Sequence, residues 1–139
     1  MTDFEIANLF TEYFALMQSQ IINYASVLFA FLLAGYLIAS KLQRVMATVI
    51  VVIFSAFAID SLMTTWFLGI DVVELQLLMR ELVASGSQEL TFHAAARDGF
   101  NVNLYMITVV RVSTGVLAYF GAIWFFFYQR RLGVENAET

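Results

Sequence analysis

The sequence predicts an all-α integral membrane protein with three transmembrane helices, an amphipathic N-terminal helix and a short extracytoplasmic helical cap between spans two and three. Three observations carry that expectation. Of the 139 residues, 61% are hydrophobic and 13% charged, with a mean hydropathy of +0.80, which lies outside the range of ordinary soluble domains. Three apolar runs are each long enough, at about 1.5 Å per helical residue, to cross a hydrocarbon layer of about 30 Å. The charge is also unevenly distributed. Lys41, Arg44, Arg130 and Arg131 follow the first and third runs, whereas Asp3, Glu5, Glu12, Asp71, Glu74, Glu81, Glu89 and Asp98 occupy the other side, with Arg80 and Arg97 among them.

Basic residues beside short loops mark the cytoplasmic face, so the N-terminus is expected outside and the C-terminus in the cytoplasm. The acidic N-terminal region and the KLQR that follows the first run do not resemble a cleaved secretory signal, and the first span is expected to be retained. A compact, proline-free chain of this kind fits a bacterial inner membrane.

Residues 1–20 contain Thr2 and Glu5 in capping-box spacing, then Ile6, Leu9, Phe10, Tyr13, Phe14 and Met17 at helical intervals. The polar face is acidic, so this outer helix is expected to lie against its own bundle or to extend the first span, rather than to dock on anionic lipid. The first span, 21–40, places Ser26, Ala30 and Ala34 at four-residue intervals, a face that permits close helix approach. Because residues 41–44 make too short a connection to hold a domain, the second span, 45–70, is expected to return antiparallel beside the first.

An outer cap is expected over 71–100. Asp71 and Glu74 form a second capping box, Val72, Leu75, Leu78, Met79 and Leu82 an apolar stripe, and Gly86 a stop. A second short helix over about 88–98 would set Glu89, His93 and Arg97 on one face as a solvated ladder or a pH-sensitive one. The third span, 101–129, ends in TrpPhePhePheTyr and two arginines, an interfacial pattern, and 130–139 is expected to be a short cytoplasmic tail.

Two charges fall inside the spans. Asp60 and Arg111 each lie roughly 12 to 15 Å below the outer ends of their helices, at nearly the same level, and a buried charge is costly unless paired or hydrated. Asp60 shares a face with Ala56, Ser61 and Thr64, and Arg111 shares one with Thr108, Thr114, Gly115 and Ala118. An Asp60–Arg111 ion pair, within one chain or between neighbours, is the expected arrangement. It would either fix helix register or line a polar pathway.

Enzyme motifs are missing: there is no Walker loop, GxSxG, HExxH or GxGxxG. One histidine without cysteine makes no conventional zinc site, and no Glu-x-x-His lies on a span, so neither catalysis nor a cofactor or metal is expected. The acidic outer face disfavours nucleic acid. The expected partners are the lipid bilayer and further copies or other membrane subunits. The leading functional expectation is an oligomeric scaffold or accessory subunit of a membrane complex. The alternative is a homo-oligomeric ion channel with its pathway near Asp60 and Arg111.

Overall fold

A computed structural model describes residues 3–86 and 103–135. Within them the chain is helical, with α1 over Asp3–Ile38, α2 over Arg44–Ala84 and α3 over Leu104–Glu135. All three are long and apolar enough to cross a membrane.

Local chemistry accounts for the ends. The α1 helix tightens into a 3-10 turn at Ala39–Lys41, and Leu42 is extended at φ −76°, ψ 135°. The Ala47 N–H then donates to the Gln43 carbonyl at 3.0 Å and starts α2. Past the end of α2, the Gly86 N–H donates to the Val83 carbonyl at 3.1 Å, with Gly86 at φ 103°, a left-handed conformation that glycine adopts without a Cβ clash. At the start of α3, Asn103 Oδ1 accepts from the Tyr105 N–H at 3.1 Å, an N-cap bond.

The helices keep one sequence expectation and depart from it in two places. The amphipathic segment 1–20 does not stand as a separate element; from Asp3 onward it extends the first span, one of the two arrangements expected. Nor does α2 stop at residue 70, because it continues through the Asp71 capping box to Ala84. One glycine in a helix costs only about 1 kcal/mol, and burial of Val72 and Met79 outweighs it. Finally, α3 runs through Arg130 to Glu135, since glutamine, arginine and leucine are good helix formers and Gly133 alone does not break the run. The expected helix over about 88–98 lies outside the described residues.

Two compact units divide the chain, the first comprising Met1–Gln20 and Thr64–Val112, the second Ile21–Met63 and Ser113–Thr139. In the first unit Ile6, Ala7 and Phe10 of α1 form a core with Val72 and Met79 of α2, against which Tyr13, Phe14, Leu75, Leu82, Val83 and Leu104 pack. In the second unit Phe31, Ala39, Ala47, Phe54, Ala122 and Phe126 form the core.

Along each helix one set of buried positions recurs every seven residues: Phe10, Met17, Tyr24 and Phe31 on α1; Ala58, Thr65, Val72 and Met79 on α2; and Thr108, Gly115 and Ala122 on α3. Such a seam is what helices present when they pack at shallow angles with interlocking side chains. By contrast Ser26 and Ala30, expected to be a contact face, are exposed, and the adjacent seam is occupied by Tyr24 and Phe31 instead. The Ser26 hydroxyl donates to the Ile22 carbonyl of its own helix at 2.9 Å.

Candidate functional site

In the first unit, Arg111 lies one turn beyond Thr108 on α3 and is half-buried. Its Nη1 donates to the Met17 Sδ at 3.9 Å, and Met17 itself is 2% exposed. A thioether is a weak, neutral acceptor, whereas a guanidinium has five donors and a full charge, so this contact positions the arginine without neutralising it. Thr108 is fixed on the seam. Its hydroxyl donates to the Leu104 carbonyl at 3.0 Å, and its methyl and hydroxyl press on Gly69, where an added Cβ would collide with them.

In the second unit, Asp60 is exposed on α2. Ser61, its neighbour in sequence, is 2% exposed, since consecutive helical residues point about 100° apart. Thr64 and Thr65, one turn on, fall in the first unit and are half-buried and buried, while on α3 of the second unit Thr114 is exposed and Gly115 buried. The polar residues grouped by sequence therefore divide into buried ones (Ser61 in the second unit, Thr108 in the first) and exposed ones (Asp60, Thr114). Around Asp60 the exposed side chains are apolar, among them Phe57, Ile59 and Met63. Glu89, His93 and Arg97 lie outside the described residues.

Further polar contacts hold the second unit together. The Tyr24 hydroxyl donates to the Gly115 carbonyl at 2.7 Å. The Ser55 hydroxyl donates to the Val51 carbonyl at 2.7 Å, so the 2.8 Å contact between Ser55 and Tyr119 is completed by the tyrosine proton. Neither tyrosine stands out in the sequence. Their signal is an aromatic ring at helical spacing, identical to that of a purely apolar contact.

Among the described residues no group of three or more carboxylates or histidines stands close enough to hold a metal ion. No buried side-chain nitrogen or oxygen among them lacks a partner. No protein-family model matches the chain, and neither a curated protein nor a solved structure does so.

Proposed function

We propose that the chain is an integral membrane subunit that works by assembly, as an oligomeric scaffold or an accessory component of a larger membrane complex. The observation behind this reading is Asp60, an exposed carboxylate on an apolar helix, surrounded by exposed Phe57, Ile59 and Met63. Facing hydrocarbon, an aspartate costs about 2.5–3.5 kcal/mol at mid-span. A neighbouring protein surface that supplies a donor or a cation removes that cost, and the guanidinium of Arg111 on another copy is one such group. The positive residues at 41–44 and 130–131 support an N-terminus outside and a C-terminus in the cytoplasm, and a bacterial inner membrane fits this arrangement.

A channel reading needs Thr108 on a wet surface, but its hydroxyl donates within its own helix and its side chain is 3% exposed. Assembly is therefore the reading the geometry supports best. Because the chain has no cysteine, a single cysteine introduced at Met63 gives a clean cross-linking probe in native membranes. The expected result is a cross-linked oligomer or heteromer that Asp60→Leu weakens. A Met63→Cys chain that stays monomeric, or a cross-linking yield unchanged by Asp60→Leu, overturns the reading.

A further inference from the structure

Arg44 from the start of α2, and Arg130 and Arg131 from α3, line one cleft of about 470 Å³ together with Thr48 and Phe127. We propose that this cleft binds the phosphate group of an anionic glycerophospholipid; the inference rests on the membrane placement proposed above. Three features lead to it. First, the cleft brings the guanidinium groups of Arg44 and Arg130 together from two helices, with Arg131 beside them. The planar fork of arginine matches two phosphate oxygens at once, with shorter and stronger hydrogen bonds than a neutral donor makes.

Second, α2 begins with a cation and has no acidic residue in its first turn. That is the reverse of what a helix N-terminus favours, and a bound anion corrects it. Third, the surroundings suit a lipid better than a soluble phosphate. Phe127 lines the cleft, Val45 and Met46 follow Arg44 with 74% and 58% of their surfaces exposed, and the exposed rings of Trp124 and Tyr128, one turn apart on α3, stack at 5.4 Å. Charge for a headgroup therefore lies beside apolar surface for acyl chains, as in basic pockets at the cytoplasmic ends of spans. The Thr48 hydroxyl donates to the Arg44 carbonyl at 3.0 Å, which leaves recognition of the anion to the arginines.

Native mass spectrometry of the full chain, released from micelles containing equal phosphatidylglycerol and phosphatidylcholine, tests this. The expected result is preferential retention of phosphatidylglycerol, reduced about tenfold or more in Arg44→Gln/Arg130→Gln, since each charge-assisted bond removed is worth at least a tenfold change. Equal retention of the two lipids overturns the proposal, as does retention unchanged in the variant. Displacement of phosphatidylglycerol by excess inorganic phosphate overturns the lipid assignment in favour of a soluble phosphate site. The lipid comparison on the unaltered chain needs no variant, so a misfolded variant leaves the test intact. Membrane fractionation of the same samples separates the two readings: a chain that stays in the membrane yet shows no lipid preference overturns the phosphate site alone.

Discussion

The two units use the same three helices but pack them with different chemistry. In the second, aromatic rings stack across helices: Phe31 and Phe54 at 3.9 Å between centroids, Phe31 and Phe126 at 5.2 Å, and Phe54 and Tyr119 at 5.7 Å. The Tyr119 hydroxyl ties that stack to Ser55, and the Tyr24 hydroxyl separately bonds the Gly115 carbonyl. In the first unit the inter-helix core is mainly aliphatic, and Gly69 leaves no room for a Cβ against Thr108. Apart from Asp60 and Glu135, the described carboxylates fall in the first unit, while Lys41, Arg44, Arg130 and Arg131 fall in the second. In lipid no hydrophobic force draws apolar helices together, so shape and hydrogen bonds must do so. One unit relies on stacked rings with polar tethers, the other on aliphatic packing and a glycine set against a threonine side chain.

Substitutions can break or sharpen that contrast. The largest effect is expected from Phe126→Ala, which removes the ring that closes one end of the stack, beside Phe31, at a residue 0% exposed. The destabilisation should be about 3 kcal/mol, toward the low end for such truncations because the transfer contribution shrinks in lipid. Thermal unfolding in detergent followed by circular dichroism measures it, with Phe10→Ala as the first-unit counterpart. If Phe10→Ala costs as much, the distinction between ring stack and aliphatic core loses its energetic content.

Next comes Gly69→Ala, expected to destabilise by about 1–3 kcal/mol through overpacking against Thr108, whose branched Cβ cannot swing away. Gly115→Ala should cost less, because the atom it meets at 2.5 Å is the mobile end of Leu62. Equal destabilisation in the two variants would show that the tight glycine contact is not peculiar to the first unit. Tyr24→Phe, which removes one buried tether, should cost about 0.6–1.5 kcal/mol by the same unfolding assay. The smallest change is expected from Arg111→Met, under about 0.5 kcal/mol in the isolated chain, since this exchange removes only a weak hydrogen bond to the Met17 sulfur. A larger effect would mean that Arg111 holds the first unit together rather than waiting for a partner.

Much of the helix content was legible from long apolar runs without proline. Gly86 was also readable as a terminator, because a glycine after an amphipathic run has one common use. The continuity of α2 was not, since the Asp71 capping box is a local signal and burial of Val72 and Met79 is a tertiary one. Among site residues, spacing put Ser61 with Asp60, whereas the seam turns Ser61 inward and leaves Asp60 exposed. Pattern alone names a face only to within about one residue's rotation, roughly 100°. The arginine cleft was visible in the sequence only as a topology signal, because the convergence of residue 44 with 130 and 131 is a three-dimensional fact.

The fixed stride of inward positions on α2 constrains length more tightly than composition. One residue inserted just after Val72 would turn everything beyond it by about 100° and carry Met79 out of phase with Ile6 and Phe10. An outward exchange such as Val52→Leu, at a position 59% exposed, disturbs no core contact. Related chains should therefore diverge freely in outward letters while admitting almost no gaps inside the helices, and a single-codon indel there should be more damaging than most missense changes.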